Sequence, residues 1–93
     1  MAPSMDESYA SVLLGAVLSE YERRPLEALA LAVGHPERRE LRPPNGARFD
    51  VEVIVDRTPS GAWRVAGRIT DRRGGELRRA FRRSADGQVE YGS

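Results

Sequence analysis

Apolar and polar residues alternate along the second half of the chain, a pattern typical of strands with one buried face. Residues 49–56 read FDVEVIVD, so every second position is apolar and most of the positions between them are charged. The same period of two recurs in three later segments, which begin near Trp63, Leu77 and Val89. We therefore predict a four-stranded antiparallel sheet over residues 48–92.

The three connections between these strands share one glycine pattern. The segments TPSGA, DRRGG and SADGQ place Gly61, Gly74 and Gly87 at a constant spacing of thirteen residues. A three-residue hairpin loop has a left-handed residue at its third position, and glycine adopts that conformation without strain. Such turns fix the register, in which the opposed pairs are Thr58 and Ala62, Asp71 and Gly75, and Ser84 and Gln88. A slip of one residue would turn the apolar side chains toward water, so the turns and the alternation predict the same sheet.

The first half of the chain has helical periodicity instead. Apolar residues recur at intervals of three and four, at Tyr9, Val12, Leu13, Ala16 and Val17. Three further apolar residues widen this stripe to more than half of the helix circumference: Ala10, Leu14 and Tyr21. Ser4 and Glu7 have the spacing of a capping box at the start of this helix. A run of small residues lies on another face, which we expect to be solvated or to allow close approach of a second helix: Ser8, Ser11, Gly15 and Ser19.

Pro25 divides the helical segment over residues 4–34, because proline cannot continue the hydrogen-bond ladder and suits the first turn of a new helix. The polar segment 35–47, which contains Pro-Pro-Asn-Gly, is predicted to be a linker. We expect one α+β domain over residues 1–93, with an N-terminal helix, kinked or split at Pro25, packed on one face of a four-stranded antiparallel β-meander. This layout resembles the general plan of cystatin-like and NTF2-like folds, which host binding modules, inhibitors and enzymes alike.

Composition narrows the classes of protein that fit. Cysteine is absent, which removes disulfides and thiol chemistry and favours a reducing cytoplasm. No apolar run approaches the roughly 18 residues of a membrane span, so no membrane partner is expected. All 15 basic residues are arginine, which is typical of a GC-rich bacterial genome, and the net charge of +1 gives only a weak overall field.

The predicted register arranges charged side chains in rows on the outer face of the sheet. One row contains Asp56, Arg64, Arg82 and Glu90, and another contains Glu52, Arg68 and Arg78. Opposed charges of unlike sign stabilise a sheet modestly, so most of these arginines are expected to have acidic partners. The candidate partner-binding residues on this face are Arg64, Arg68, Arg78, Arg82 and Ile54. An exposed apolar stripe of Ile54, Ala66 and Ala80 between the rows favours contact with a protein partner or a second copy.

The segment RRGGELRRAFRR, residues 72–83, raises nucleic-acid binding as the alternative function. Alternation along the strand disperses these arginines over a loop and both faces of the sheet. The outer face also lacks the aromatic residues on which single-stranded bases stack. Binding to duplex through the arginine-rich face stays open as the second interpretation.

Two groups of inward arginines indicate a ligand pocket or simple packing at the edge of the core. Arg79 is predicted opposite Gly67, where its guanidinium either extends past the helix edge or faces a pocket. Arg57, Trp63 and Arg83 fall in one row, where the indole can contact cations. These four residues, Arg79, Trp63, Arg57 and Arg83, are the candidate lining of a ligand pocket.

Catalytic patterns are lacking in the sequence. His35, the single histidine, follows a helix next to Gly34 and Pro36, and its neighbours suggest a cap or surface position. No nucleotide-binding, metalloprotease or serine-hydrolase motif is present, and we expect no enzyme activity, metal or cofactor. The sequence therefore favours a small cytoplasmic protein-interaction module that acts through its charged outer sheet face or by self-association as a homodimer.

Overall fold

The computed structural model describes residues 7–44 and 46–92, which form two helices followed by a five-stranded antiparallel sheet. The helices are α1 (Glu7–Arg23) and α2 (Leu26–Ala32). The strands, in the same order along the chain and across the sheet, are β1 (Glu37–Leu41), β2 (Phe49–Arg57), β3 (Trp63–Asp71), β4 (Glu76–Arg83) and β5 (Val89–Tyr91). Helix α1 packs on β3 and β4, and α2 contacts β2. The predicted α+β architecture is confirmed.

The sheet has one strand more than the sequence predicts. Strand β1 lies within the segment 35–47, interpreted from the sequence as a linker, and it pairs with β2 so that Glu37 is opposite Val53. Its inward positions carry Glu37, Arg39 and Leu41, and the first two contact polar side chains of α1. Because two of these three positions are charged, β1 lacks the alternation of apolar and polar residues that identifies a strand in a sequence.

The hairpins of strands β2 to β5 have the predicted register. The N–H of Thr58 donates to the carbonyl of Ala62 at 2.8 Å, and the other two loops close in the same way, Asp71 to Gly75 at 3.0 Å and Ser84 to Gln88 at 2.9 Å. The glycines at the third loop positions have positive φ, with values of 88° at Gly61, 86° at Gly74 and 92° at Gly87. Glycine in these loops therefore sets which side chains share a face of the sheet.

The helical segment is split at Pro25, as predicted. Helix α1 ends at Arg23, and the carbonyl of Pro25 accepts hydrogen bonds from the amides of Ala28 and Leu29 at the start of α2. Ser4, half of the predicted capping box, lies outside the described residues. After α2 the chain passes through Val33, which forms an isolated parallel bridge to Val55 of β2 and so ties the helical segment to the sheet.

The buried face of α1 is narrower than the predicted apolar stripe, which covers more than half of the helix circumference. Val12 is 67% exposed and Ala16 is exposed, although both belong to that stripe. The buried residues are Ala10, Leu14, Val17, Leu18 and Tyr21, and all but Leu18 belong to the stripe predicted from the sequence. Leu14 and Leu18 lie directly over Gly67 of β3, where the missing side chain allows the helix to approach the sheet closely. This contact fixes the rotation of α1.

Candidate interaction surface on the sheet

The outer face of the sheet carries two charged rows with an apolar row between them. In the first charged row Asp56, Arg64, Arg82 and Glu90 are opposed across β2 to β5. The second charged row is Arg38, Glu52, Arg68 and Arg78, across β1 to β4. Between them Ile54, Ala66 and Ala80 are opposed across three strands. The rows predicted from the hairpin register are therefore present, and β1 adds Arg38.

Small side chains in the apolar row leave an open groove of about 650 Å³ on this face. We call it the outer groove; the residues that line it are Glu52, Ile54, Arg64, Ala66, Gly67, Arg68, Arg78, Arg79, Ala80, Tyr91 and Gly92. Four of the five residues singled out from the sequence as partner-binding candidates are thus brought together. The fifth, Arg82, lines a smaller depression of about 440 Å³ near the loops that precede β3 and β5.

Ion pairs neutralise most of the arginines on the outer face of the sheet. Glu52 accepts from Arg38 at 2.8 Å and from Arg68 at 3.2 Å. Glu76 lies 2.6 Å from Arg78 and 3.7 Å from Arg68, so each carboxylate serves two arginines. These pairs are exposed and contribute little to stability, but they hold the guanidinium groups in place beside the groove.

Arg64 is the exception among the outer arginines. It is half-buried and lines the outer groove, yet no carboxylate of the described segments lies within 4 Å of its guanidinium. Asp56 is directly opposite Arg64 in the strand register without forming an ion pair with it. Arg82, the next residue of the same row, pairs with Glu90 at 2.8 Å. Arg64 is therefore a cation beside the groove with unused capacity for a carboxylate.

Arg79 lies opposite Gly67, as the register predicts. The space over Gly67 is filled by the Leu14 and Leu18 side chains of α1. The Arg79 guanidinium instead extends past the helix flank, where it donates to the hydroxyl of Ser11 at 2.6 Å. The small-residue run of α1 is thus neither purely solvated nor covered by a second helix, because part of it accommodates this arginine.

Arg57 and Arg83 are neighbours of Trp63 in its row, as predicted, but the two arginines make different contacts. The guanidinium of Arg57 lies 4.3 Å from the centroid of the Trp63 ring, a cation–π contact at the sheet margin. Arg83, across the strand pair from Trp63, turns away and donates to the carbonyls of Tyr21 and Arg24 at the C-terminus of α1. It therefore compensates the negative end of that helix.

The four candidate pocket residues do not converge. Arg79 is four positions along β4 from Arg83, a separation of about 13 Å in a strand. Arg79 contributes to the outer groove, whereas Trp63, Arg57 and Arg83 are not among the residues that line it. The indole Nε1 of Trp63 and the Nε of Arg83 are buried without a hydrogen-bond partner among the described residues.

A polar cluster between α1 and β1 is the main feature that sequence reasoning missed. The Tyr21 hydroxyl donates to the carboxylate of Glu37, and Arg39 donates to both carboxylate oxygens of Glu20 at 2.9 and 3.0 Å. Burial and then the Glu37 hydrogen bond raise the pKa of Tyr21 to about 12. The hydrogen bond from Tyr21 lowers the pKa of Glu37, and the one from Arg39 lowers the pKa of Glu20.

This cluster has a structural role, since it attaches to the helix an edge strand whose inward positions carry a single apolar residue, Leu41. Arg24 completes it by lying over the Tyr21 ring, 4.0 Å from the centroid, and 3.7 Å from the Glu37 carboxylate. The sequence carries no apolar alternation that would reveal this strand, because residues 37–40 read Glu-Arg-Arg-Glu.

Within residues 7–44 and 46–92 no group of three or more metal-ligating side chains comes together, and no helix is long and apolar enough to cross a membrane. No protein-family model, curated protein or solved structure matches the chain. The geometry of the outer groove is therefore the basis for assigning a function.

Proposed function

We propose that the protein is an interaction module that binds a segment of a protein partner in the outer groove. The observation that carries this proposal is the combination of an apolar floor, Ile54, Ala66 and Ala80, with the cation of Arg64 beside it, which has no ion pair among the described residues. A protein segment that places apolar side chains on this floor and a carboxylate on Arg64 satisfies both features. The ion-paired arginines around the floor then form a polar rim, as in many protein interfaces.

Nucleic-acid binding has weaker support from the charges on this face. The outer positions of the described strands carry five arginines, Arg38, Arg64, Arg68, Arg78 and Arg82, beside six carboxylates, Glu40, Asp50, Glu52, Asp56, Glu76 and Glu90. A phosphate backbone would meet this balanced surface without a net attraction and would have to displace existing ion pairs. A protein partner with one acidic residue and several apolar residues has no such requirement.

The Ala66→Glu substitution tests the proposal at the centre of the groove. The new carboxylate lies between Arg64 and Arg68 on the solvent side of β3, so the fold should tolerate it while the apolar floor and the free cation are lost. Tagged protein with this change should recover less than a tenth of the partner that the original chain recovers from an extract of its native cells. Val12→Glu, on the exposed side of α1, is the matched control and should recover the full amount.

Equal recovery by the Ala66→Glu variant would refute the proposed surface. Recovery that disappears after nuclease treatment would refute the protein partner in favour of nucleic acid. Sedimentation of the purified chain addresses self-association: a dimer that Ala66→Glu dissociates would identify a second copy as the occupant of the groove and would contradict a separate partner. We place the interaction in the cytoplasm, as the cysteine-free composition suggests.

A further inference from the structure

Half of strand β4 has no neighbour on its outer edge. Strand β5 pairs with Phe81, Arg82 and Arg83 only, and the N–H of Gly92 makes one more bond, to the carbonyl of Ala80. Residues 76–79 therefore form a free edge in the part of the chain that the structure describes. A further strand paired with this edge would lie between the outer groove and the flank of α1.

The backbone groups at this edge point outward. In an antiparallel ladder alternate residues direct their N–H and C=O to opposite sides of the strand. The bond from the Asp71 N–H to the Gly75 carbonyl sets the odd-numbered residues of β4 toward β3. The bond from the Gly92 N–H to the Ala80 carbonyl sets the even-numbered residues toward β5. Glu76 and Arg78 thus present unpaired N–H and C=O groups to solvent at the edge, as a template for a further strand.

The side chains around this edge are predominantly cationic. Arg72 and Arg73 are exposed in the loop before β4 and form no ion pair with a described residue, and Arg79 donates to the neutral hydroxyl of Ser11 and has no ion pair among the described residues either. The nearest loop carboxylate, Asp71, already accepts from the amides of Arg73 at 2.9 Å and Gly75 at 2.7 Å. Glu76 is shared by Arg68 and Arg78. The edge therefore attracts a segment of opposite charge.

We propose that an extended acidic segment of the protein partner adds to β4 as a sixth strand along residues 76–79. Its main chain pairs with Glu76 and Arg78, and one of its apolar side chains lies beside the half-buried Leu77 on the inner face. Its carboxylates face Arg78 and the loop arginines, Arg72 and Arg73. This inference rests on the proposed function and makes it specific, because Arg78, Arg79 and Gly92 also line the outer groove, which is continuous with this edge.

A second copy of the chain fits this edge less well. It would bring its own Arg72, Arg73 and Arg79 to the same place, so like charges would oppose the pairing. An acidic partner has the complementary charge.

Amide hydrogen exchange with a defined probe tests strand addition directly. The probe is a nine-residue peptide of alternating valine and glutamate with blocked ends, and its lysine counterpart is the charge control. In the free protein the amides of Glu76 and Arg78 should exchange rapidly while those of Leu77 and Arg79 are protected by β3. Saturation with the acidic peptide should slow exchange at Glu76 and Arg78 about tenfold or more, and the lysine peptide should have no effect.

Proline substitution separates the backbone contribution from the charge. Arg78→Pro removes an outward N–H without breaking a bond to β3, and proline is tolerated at such an edge. Arg38→Pro is the matched control, because Arg38 is also an ion-paired arginine whose N–H points outward, at the opposite edge of the sheet in β1. Arg78→Pro should weaken peptide binding at least tenfold, Arg78→Ala less, and Arg38→Pro less than twofold.

Three results would overturn strand addition: no slowing of exchange at Glu76 and Arg78, equal binding of the lysine peptide, or equal loss from the two proline variants. The exchange measurement uses the unaltered chain, so it is decisive even if a proline variant fails to fold. Failure here is distinguishable from failure of the proposed function. If partner capture is lost in Ala66→Glu but kept in Arg78→Pro, the groove binds a partner and the edge does not.

Discussion

Gly67→Ala is expected to destabilise the protein, because this glycine sets the distance between α1 and the sheet. A Cβ at position 67 would lie 2.9 Å from the Cδ1 of Leu14 and 3.0 Å from the Cδ2 of Leu18, both of which are fully buried. Overpacking of this kind costs roughly 1–3 kcal/mol. Alanine also restricts the unfolded chain, which raises the free energy of unfolding by about 0.4–1 kcal/mol. We therefore expect Gly67→Ala to lower the free energy of unfolding by about 1.3 kcal/mol in total.

Gly15→Ala is the matched control, with an effect of opposite sign. Gly15 lies inside α1, and a Cβ there would make an ordinary contact 3.5 Å from Nη1 of Arg79. Alanine in a helix interior is favoured over glycine by about 0.5–1 kcal/mol, so this variant should be more stable than the original chain.

Thermal unfolding measured by circular dichroism resolves both effects. In a domain of this size 1 kcal/mol shifts Tm by about 4–8 °C, so Gly67→Ala should lower Tm by about 5–10 °C and Gly15→Ala should raise it by about 2–8 °C. A double-mutant cycle identifies the cause. In a Leu14→Ala background, where the nearer of the two clashing side chains is absent and Leu18 gains space to move, Gly67→Ala should cost less than in the original chain. An unchanged cost in that background, or no cost in the original chain, would refute the close approach of α1 at Gly67.

Two further predictions concern the contacts that join α1 to the sheet. Arg83→Met removes the guanidinium from the last carbonyls of α1 and should lower the free energy of unfolding in urea by about 1–2 kcal/mol, whereas Arg82→Met, on the solvated face, should change it by less than about 0.5 kcal/mol. Folding lowers the pKa of Glu20 and Glu37 below the ordinary value of 4.5. Their contribution to the free energy of unfolding is therefore complete above pH 4.5 and is lost as the pH falls through the lowered pKa values. Glu37→Gln should therefore reduce the loss of stability between about pH 5 and pH 3, and an acid response identical to that of the original chain or of Glu40→Gln would contradict this assignment.

The register of strands β2 to β5 could be predicted from the sequence because two independent local signals agree. The apolar alternation defines which face of each strand is buried, and a glycine at the third loop position defines how adjacent strands align. Neither signal depends on distant parts of the chain. The confirmed opposition of Asp56, Arg64, Arg82 and Glu90 follows from these two constraints alone.

Features that depend on the packing of α1 could not be predicted in this way. The stability of β1 comes from Tyr21 and Glu20, which are 16 and 19 residues from the side chains they contact. The rotation of α1 depends on two leucines fitting over Gly67, and apolar periodicity cannot select among faces when more than half of the helix circumference is apolar. The inward arginines show the same limitation, since Arg83 is explained only by the helix end beside it.

The segment 72–83 shows why a run of like charges in a sequence does not define a surface. Strand alternation and the end of β5 divide its six arginines among an exposed loop, the outer groove, the flank of α1 and the helix terminus. Arg83 is already occupied by α1 carbonyls and Arg82 by Glu90, so neither has free capacity for a partner. Arg72 and Arg73 beside the free edge of β4 have no ion pair with a described residue, Arg79 donates to a neutral hydroxyl, and Arg64 lines the outer groove. We therefore expect an acidic partner to contact both ends of β3, at Arg64 near its start and at Arg72 and Arg73 just after its end.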